Sequence, residues 1–342
     1  MPPRSFYNSP RAEDYVAYAA AFFPEELEAA KSFGEKHEKP YITSSAHIAA
    51  YLGVSSSLIR QIMHKPEYHY RTFPMKKSDG SDRLISTPKT YLKVIQWWIL
   101  DNILDGSRLD NAAHGFRKGR SYFSNAYAHF GSKHILNVDI KSFFDSIQRH
   151  HVLRVFSDLG YEENGSFVLT ALVTRNGVAP TGAPTSPMIA NLIFRDADEQ
   201  LSIFAAENGL KYTRYADDLT FSGQDKISHN VLASVSKIVE ATGFVLNVKK
   251  TKFMGRGDRQ DVTGLIINDG LNMPREWRNW ARGFLHRVSL DPSSYEREVH
   301  RVRGIYGILK QIDGDHSKAL TRVARTTLNT IAASSGVRDS SA

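Results

Sequence analysis

The ten residues Tyr212-Thr-Arg-Tyr-Ala-Asp-Asp-Leu-Thr-Phe221 decide how the rest of the chain is interpreted. They predict an apolar strand, a tight acidic turn and a second strand. The turn holds Asp217 and Asp218, and neighbouring carboxylates beside buried strands require a positive partner. Because carboxylate oxygens are the ligands that Mg²⁺ prefers, a divalent metal is one candidate for that partner. An ordinary Asp-rich turn is the alternative, and these ten residues alone do not separate the two.

Composition limits the class of protein. The chain has 342 residues, 41% of them hydrophobic, so it can bury a sizeable core. Its formal net charge of +8 and pI near 9.4 favour a polyanionic partner without identifying it. The absence of cysteine excludes disulfides, thiolate metal sites and cysteine nucleophiles. No apolar run reaches membrane-spanning length and the N-terminus lacks a signal-peptide core, so we expect a soluble, cytoplasmic protein with no membrane partner.

Helical patterns dominate the N-terminal part of the chain. Residues 11–39 are rich in Ala and Glu and predict a helix that is broken or kinked at Pro24. Residues 43–65 predict two helices separated by a stop at Gly53. This outline is shared with DNA-binding helix-turn-helix units, but a plain helical hairpin packed on a larger domain is the favoured interpretation.

Strands and helices are both predicted in the middle of the chain. The predicted strands are 68–75, 83–86, 135–140, 244–248 and 261–267, and the predicted helices include 87–104, 121–130 and 188–208. Thr87 and Pro88 are the expected cap and first residue of the helix that ends at Leu104. From Pro274 onward the pattern is helical and basic.

A third carboxylate, Asp139, lies near the end of the strand predicted at 135–140. Asp139 and the Asp217–Asp218 pair can therefore converge at the rim of one sheet. Three clustered carboxylates can hold two Mg²⁺ ions, which activate an attacking oxygen and stabilise the leaving one in nucleotidyl transfer. A hydrolase could use the same ions, so metal binding alone does not separate a polymerase from a nuclease.

Side chains on two neighbouring segments favour the polymerase. Phe143 and Phe144 follow Asp139 and could form an aromatic wall that senses a sugar 2′-OH. Lys77 and Arg83 belong to the preceding hairpin, and such cations are suited to a triphosphate. The plainer interpretations are core phenylalanines and a surface ion pair.

Two later segments strengthen this interpretation. The loop Pro180-Thr-Gly-Ala-Pro-Thr-Ser-Pro187 could press its backbone against a base pair, because Gly182 and Ala183 have almost no side chain. Lys249 and Lys250 follow a predicted strand and could protonate a pyrophosphate leaving group. A rigid turn and solvated lysines are the plainer alternatives. They explain each segment by itself, but they do not explain why the aspartates, the phenylalanines, the loop and the lysines follow one another in this order.

The ordered set resembles the motifs of reverse transcriptases. The matching segments are Asn137-Val-Asp-Ile-Lys-Ser-Phe-Phe-Asp145, the loop from Pro180 to Pro187, Tyr215-Ala-Asp-Asp218 and Gly243-Phe-Val-Leu-Asn-Val-Lys-Lys-Thr251. Asn125-Ala-Tyr-Ala-His129 resembles the Asn-Ala-x-x-His signature of bacterial retron reverse transcriptases, and Val262-Thr-Gly264 resembles their Val-Thr-Gly signature.

This resemblance implies an α+β fold, the right-hand polymerase with fingers, palm and helical thumb. The expected regions are an N-terminal helical extension (1–66), fingers with part of the palm (67–135), the palm (136–270), and a basic thumb with a polar tail (271–342). The implied metal ligands for two Mg²⁺ ions are Asp139, Asp217, Asp218 and the Ile140 carbonyl.

The resemblance also implies roles for substrate-binding residues. Phe144 would be the steric gate over the sugar, Arg83 a triphosphate contact and Lys250 the acid. The loop usually reads Pro-Gln-Gly, and here Thr181 stands before Gly182 in place of Gln. Thr is shorter and offers one hydroxyl instead of an amide, which puts the fine geometry of nucleotide selection in doubt but not the metal chemistry.

RNA recognition is expected in two places, the Asn-Ala-x-x-His segment and the thumb. Cations beside aromatic side chains can hold phosphates while the rings stack on unpaired bases. The expected contacts are Asn125, His129, Trp277, Arg278, Arg282, Arg301 and Arg303. Trp280 is expected to be a core anchor of the thumb instead.

The function that the resemblance implies is the copying of part of a structured noncoding RNA of the msr–msd type. Synthesis would use dNTPs, begin at the 2′-OH of a guanosine in that RNA and yield branched RNA–DNA, msDNA. An effector protein and a role in defence against phage are further expectations. The alternatives are another bacterial reverse transcriptase (group II intron or diversity-generating type), a catalytically idle nucleic-acid-binding scaffold, and a nuclease.

Overall fold

The computed structural model describes residues 12–76, 80, 82–314 and 318–334. The helices are α1 (Ala12–Phe22), α2 (Leu27–His37), α3 (Ser45–Leu52), α4 (Ser56–His64), α5 (Thr90–Ile99), α6 (Tyr122–Ala128), α7 (Arg149–Asp158), α8 (Glu163–Val173), α9 (Ser186–Ile193), α10 (Arg195–Glu207), α11 (His229–Ala241), α12 (Arg275–Leu290), α13 (Val299–Asp313) and α14 (Ala319–Ser334). The strands are β1 (Tyr70–Lys76), β2 (Asp82–Pro88), β3 (His134–Asp139), β4 (Lys211–Tyr215), β5 (Asp218–Gly223), β6 (Lys252–Met254), β7 (Asp261–Val262) and β8 (Leu265–Ile266). Within these residues no helix is both long and apolar enough to cross a membrane.

A four-stranded antiparallel sheet, here called the palm sheet, has the strand order β4-β5-β3-β6. Its central strands are rich in β-branched and apolar side chains, and Leu136, Val138, Leu219 and Phe221 are fully buried. The register places Asp139 directly opposite Asp218. The palm sheet therefore brings two distant carboxylates to the same end of neighbouring strands.

The N-terminal helices pack on the same hydrophobic core as the palm sheet. The helical pattern breaks near Pro24 as predicted, and Gly53 ends α3 in the left-handed conformation with φ of 62°. Ile48 of α3 and Ile59 of α4 are fully buried in the core that also contains Trp98 and Leu136. This placement is that of a helical hairpin packed on a larger domain, the interpretation that the sequence favoured over a DNA-binding unit.

Two predicted helices differ in the structure. β2 continues through Pro88, Thr87 pairs with Arg71 of β1, and α5 begins only at Thr90, so the predicted cap at Thr87 is wrong. The predicted long helix at 188–208 is interrupted at Phe194, between α9 and α10. The Phe194 ring is fully buried there, which favours a bend over a straight helix.

Two predicted strands also differ. Residues 244–248 make one bridge, from Leu246 to Ile140, and then enter a short 3-10 turn, Val248–Lys250. Residues 261–267 form a tight hairpin, β7–β8, because Thr263 and Gly264 both have positive φ, 49° and 81°. The alternation of apolar residues marked these segments as extended, but it did not reveal that they turn.

The C-terminal helices α12, α13 and α14 form a bundle with its own core, here called the thumb bundle. Its buried side chains include Phe284, Leu285, Val302, Ile305 and Ile331. Mixed helices and antiparallel strands, with a helical C-terminal bundle, make the fold α+β as predicted. The region boundaries at 66, 135 and 270 stay predictions.

Candidate active site

Three carboxylates meet where β3, β5 and the turn before β5 end. Asp139 closes β3, Asp218 opens β5 directly opposite it, and Asp217 lies in the turn that connects β4 to β5. Side chains directly opposite each other on antiparallel strands have Cβ atoms about 4.5–5.5 Å apart. The sequence prediction that these aspartates converge at one sheet rim is therefore confirmed.

The electrostatics show that the three carboxylates repel one another. Burial, followed by the charges of Asp217 and Asp139, raises the pKa of Asp218 to about 6. The pKa of Asp217 is also raised, by burial and then by Asp139, while the charges of Lys250 and Arg83 act to lower it. Like charges held this close favour a cation between them.

Lys250 supplies positive charge at the site. Its Nζ lies 2.9 Å from Asp139 Oδ2, and this hydrogen bond is the main cause of the raised pKa of Lys250. Asn247 holds the same aspartate from its own segment, because its backbone N–H donates to the Asp139 carbonyl at 2.7 Å and its Nδ2 to Asp139 Oδ1 at 3.3 Å. The short 3-10 turn after Asn247 is what aims Lys250 at the carboxylates.

The donor set fits a hard divalent ion in its chemistry, since it consists of carboxylate oxygens, and the pKa values of Asp217 and Asp218 are raised. In the described part of the chain, however, no group of three or more His, Cys, Asp or Glu side chains is already gathered as a metal site. Lys250 is ion-paired to one oxygen of Asp139, so that oxygen is directed to the ammonium group and not to a shared metal position. The Ile140 backbone is close to the acidic turn, as its N–H donates to the Asp217 carbonyl at 2.9 Å.

A cavity of about 400 Å³ opens beside the carboxylates. Its lining includes Asp139, Asp218 and Lys250 together with Thr263 and Gly264 of the β7–β8 hairpin. The hairpin is fixed because Thr263 Oγ1 donates to the Tyr122 carbonyl at 3.1 Å. The Val-Thr-Gly motif was noted in the sequence, but its place in the site was not predicted.

The two phenylalanines after Asp139 have different environments. Phe143 is 3% exposed and packs against Phe194 and Phe244, so the prediction that it forms part of a nucleotide-facing wall is wrong for this residue. Phe144 is half-buried, and its ring makes an edge-to-face contact with the Phe116 ring, with 6.3 Å between the two centroids. Phe116 was missed by sequence reasoning, and its only signal was an aromatic residue inside a basic, glycine-punctuated loop.

The predicted triphosphate and base-pair contacts lie on two segments that touch. The Ser86 N–H of β2 donates to the Thr181 carbonyl at 2.9 Å. Gly182 has φ of 115°, and an added Cβ would lie 3.1 Å from both Ile85 Cγ2 and the Ser86 carbonyl oxygen. Arg83 is exposed on β2, and its charge reaches Asp217. Lys77 lies outside the described residues.

Arg175 joins these segments and was not predicted from the sequence. Its Nη1 donates to the hydroxyl oxygens of Thr72 and Ser86, each at 2.6 Å, so it ties β1 and β2 to the end of α8. The guanidinium also lies over the Tyr70 ring, 5.7 Å from its centroid. A lone arginine after a helix gave no signal of this role.

The predicted RNA contacts Asn125 and His129 are wrong as direct contacts, because both side chains are fully buried. The His129 ring nitrogens are hydrogen-bonded to the Ser222 and Thr213 hydroxyls, each at 2.7 Å. Burial lowers the pKa of His129 to about 3, so the ring stays neutral between two strands of the palm sheet. The Asn-Ala-x-x-His segment thus holds α6 against β4 and β5.

The thumb bundle presents part of the predicted RNA-binding set to solvent. Arg282, Arg301 and Arg303 are exposed, Arg278 is half-buried, and Trp277 packs against the thumb core. Trp280 is 45% exposed and stacks on Phe284 at an interplanar angle of 9°, so the expectation that it anchors the core is wrong. Part of the indole is therefore exposed on the surface of α12.

Comparisons with known proteins agree with this geometry. The family described as reverse transcriptase (RNA-dependent DNA polymerase) matches residues 75–273. The retron Ec86 reverse transcriptase of Escherichia coli is 34% identical over 277 residues, which cover 80% of this chain and 86% of that protein. The retron Mx65 reverse transcriptase of Myxococcus xanthus is 33% identical over 308 residues, which cover 83% of this chain and 71% of that protein. The chain therefore belongs to the reverse transcriptases, the RNA-directed DNA polymerases, and among them to those of bacterial retrons.

Proposed function

We propose that this reverse transcriptase copies part of a structured noncoding RNA of the msr–msd type, starting at an RNA 2′-OH, and produces branched RNA–DNA. The observation that carries the proposal is the convergence of Asp139, Asp217 and Asp218 at one sheet rim in a chain with retron relatives. An RNA template follows from the family. The msr–msd RNA, the dNTP substrates and the msDNA product are the finer part of the proposal.

The carboxylates are the proposed ligands for two Mg²⁺ ions, with the Ile140 carbonyl as a further ligand. When bound, such ions activate the attacking hydroxyl and stabilise the leaving oxygen of an in-line displacement. The RNA 2′-oxygen, and later the DNA 3′-oxygen, forms a bond to the α-phosphorus of the dNTP while its hydroxyl proton passes to solvent water. The bond from that phosphorus to the pyrophosphate oxygen breaks. Lys250 is the proposed acid that donates a proton to that pyrophosphate, and its position beside Asp139 supports this role.

Substrate selection is assigned to the segments that surround the carboxylates. Phe144 is the proposed steric gate, since it is half-buried beside Phe116 and follows Asp139 by one short turn. Arg83 is the proposed triphosphate contact, because its charge already reaches Asp217. Thr181 and Gly182 are proposed to face the nascent base pair, and their contact with β2 fixes that loop.

RNA recognition is assigned to the exposed face of the thumb bundle. Trp280 offers a ring for stacking, and Arg282, Arg301 and Arg303 offer cations for phosphates. Arg301 lies over the Phe284 ring, on which Trp280 also stacks, so cation and aromatic surface adjoin. An associated effector protein and a role in antiphage defence complete the proposal.

The test is the chemistry of the first bond. The protein is purified with the RNA that accompanies it from its native host and is given labelled dNTPs and Mg²⁺. We expect DNA whose 5′ end is joined to RNA by a 2′,5′ bond, so that a debranching enzyme releases it. DNA extended only from a 3′-hydroxyl would contradict the retron-type reaction. The Asp217→Asn, Asp218→Asn double variant is the negative control.

A further inference from the structure

Arg214 is a fully buried cation immediately before the acidic turn. It lies on β4, and its side chain is completely inaccessible to solvent. A guanidinium carries five N–H donors and cannot lose its charge, so its burial requires an anionic partner and further hydrogen-bond acceptors. Arg214 lies two residues before Ala216, so its hydrogen-bond partners can also hold the turn that contains Asp217.

Asp198 of α10 neutralises the buried charge. Arg214 Nε donates to Asp198 Oδ1 at 2.8 Å and Nη2 donates to Asp198 Oδ2 at 2.6 Å, a two-bond pair with fixed orientation. The Tyr212 hydroxyl donates to the same Oδ1 at 2.8 Å. The Phe194 ring lies 4.9 Å from the guanidinium carbon, at the bend between α9 and α10. Nη1 therefore does not bind Asp198 and is available to other acceptors.

Nη1 reaches the catalytic turn. It donates to the Ala216 carbonyl at 3.0 Å and to Asn191 Oδ1 at 3.0 Å. Asn191 Nδ2 in turn donates to the Gly115 carbonyl at 2.9 Å, and a Cβ added at Gly115 would lie 2.6 Å from the Ala216 backbone nitrogen. One guanidinium thus connects α9, α10 and the loop at Gly115 to the backbone of a single turn residue.

The turn requires such support, because Ala216 has φ of 59°, a left-handed conformation that is unfavourable for a residue with a Cβ. The following carbonyl, of Asp217, accepts from the Ile140 N–H at 2.9 Å. Two successive carbonyls are therefore held, one by Arg214 and the other by the strand that carries Asp139. The backbone on both sides of the Asp217 Cα is therefore tied to neighbouring elements.

We propose that Arg214 is a positioning residue, which acts with Asp198 to fix the Ala216 peptide and so presents Asp217 and Asp218 for metal binding. The inference rests on the proposed function, in which these aspartates are the metal ligands. Groups that orient metal ligands without touching the ion change metal affinity or activity by about 10- to 100-fold when removed. We expect the same range here.

Three variants separate positioning from simple packing. Arg214→Lys keeps the charge but loses the planar fork, so it cannot hold Asp198 and Ala216 together. Tyr212→Phe removes one hydrogen bond to Asp198 and leaves the bond to Ala216, which makes it the matched control. The double variant Arg214→Met, Asp198→Leu replaces a buried ion pair by apolar side chains, a change that is often neutral for stability.

Three properties are measured: thermal stability, Mn²⁺ binding and the dependence of extension kinetics on Mg²⁺. Mn²⁺ binding is followed by electron paramagnetic resonance in the complex with RNA template, DNA primer and a non-hydrolysable dNTP. We expect Arg214→Lys and the double variant to bind Mn²⁺ about 10- to 100-fold more weakly, and to need correspondingly more Mg²⁺ for extension. Tyr212→Phe should bind Mn²⁺ like the wild type. The double variant should be more stable than Arg214→Met alone but no better at binding metal.

Several results would overturn the proposal. Wild-type Mn²⁺ affinity in Arg214→Lys would show that the bond to Ala216 does not position the ligands. Equal loss of metal binding in Tyr212→Phe and Arg214→Lys would show that the hydrogen bonds around Arg214 contribute only to packing. This comparison does not depend on whether the double variant folds. Asp218→Asn is the reference, and unchanged Mn²⁺ binding in it would overturn the metal assignment itself, and this inference with it.

Discussion

Lys250 Nζ and Asp139 Oδ2 are 2.9 Å apart, so the residue predicted as a general acid is ion-paired to a predicted metal ligand. The side chain of Asp139 is 9% exposed, whereas the side chain of Lys250 is 60% exposed. An exposed lysine can leave the ion pair when a cation binds the carboxylate, and it could then act as the proposed acid for the pyrophosphate. Its two possible contributions, charge compensation and proton donation, can be separated by substitution.

Lys250→Met should slow DNA extension by about 10²-fold, the usual contribution of a general acid. Lys250→Arg keeps the positive charge beside Asp139 but cannot give up a proton, since the guanidinium stays protonated. We therefore expect arginine to restore only a small part of the rate. Single-nucleotide incorporation under pre-steady-state conditions measures the effect. Lys249→Met, at the exposed neighbouring position, is the control, and full activity in Lys250→Arg would refute the acid role.

Asp218 should make the metal-free protein less stable as the pH rises. Burial, followed by the charges of Asp217 and Asp139, raises the pKa of this carboxyl from its ordinary value of 3.8 to about 6 in the native state. The native state therefore holds a proton that the unfolded state has released, and the free energy of unfolding falls between about pH 4 and pH 6. Asp218→Asn should raise the melting temperature at pH 8, raise it by a smaller amount at pH 5, and have little effect below about pH 4.

Metal should reverse this difference. Mg²⁺ is expected to raise the melting temperature of the wild type at pH 8 and to leave that of Asp218→Asn almost unchanged, because a ligand that binds only the native state stabilises it. Asp158→Asn, at an exposed carboxylate on α7, is the control and should respond to Mg²⁺ like the wild type. Equal Mg²⁺ stabilisation of wild type and Asp218→Asn would contradict the metal site.

Phe144→Ala should weaken sugar discrimination. The half-buried Phe144 ring contacts both the Phe116 ring and the buried Phe143 ring, with centroids 6.3 and 5.6 Å away, so its removal opens space for a 2′-OH at the edge of the core. We expect the preference for dNTPs over rNTPs to fall by about 10- to 100-fold. Phe167→Ala, at an exposed phenylalanine on α8, is the control for loss of a surface ring. An unchanged preference would assign Phe144 to packing alone.

Much of the site follows from the sequence because its chemistry is carried by local patterns. The hairpin around Asp217 and Asp218 combines apolar runs with an acidic turn, and that pattern has one structural outcome. The separation of Phe143 from Phe144 was not predictable, since adjacent phenylalanines have the same composition and only tertiary packing decides which one is buried. Asn125 and His129 were expected to bind RNA because their segment resembles the Asn-Ala-x-x-His signature, and a signature does not tell whether its polar side chains face solvent or the core.

Other parts of the site depend on contacts between distant segments. Arg175 and Arg214 each hold partners from several elements, and a single arginine carries no periodic signal. Trp280 was expected to be a core anchor, yet the thumb core is filled by Phe284 and its neighbours, and the indole stacks on Phe284 with 45% of its surface exposed. The bend at Phe194 was missed for a similar reason, because the ring packs on a guanidinium from another element.

Trp280→Ala should weaken binding of the protein's own RNA by about 1–3 kcal/mol, the usual contribution of one base stacked on an aromatic ring. Because Trp280 is partly exposed, the variant should fold like the wild type. Filter binding at fixed salt against the cognate RNA and a scrambled hairpin measures the loss. Leu290→Ala, an exposed apolar side chain on the same helix, should bind as the wild type does. Unaltered RNA affinity of Trp280→Ala would place recognition elsewhere.

The most direct test of the account is primer extension on an RNA template by Asp217→Asn and Asp218→Asn. Each change removes one anionic ligand, whereas RNA affinity depends on basic residues distributed over the surface. We predict that neither variant synthesises DNA with Mg²⁺, while both bind RNA and melt at least as high as the metal-free wild type. DNA synthesis at the wild-type rate by both variants would contradict the assignment of these carboxylates as the catalytic metal site.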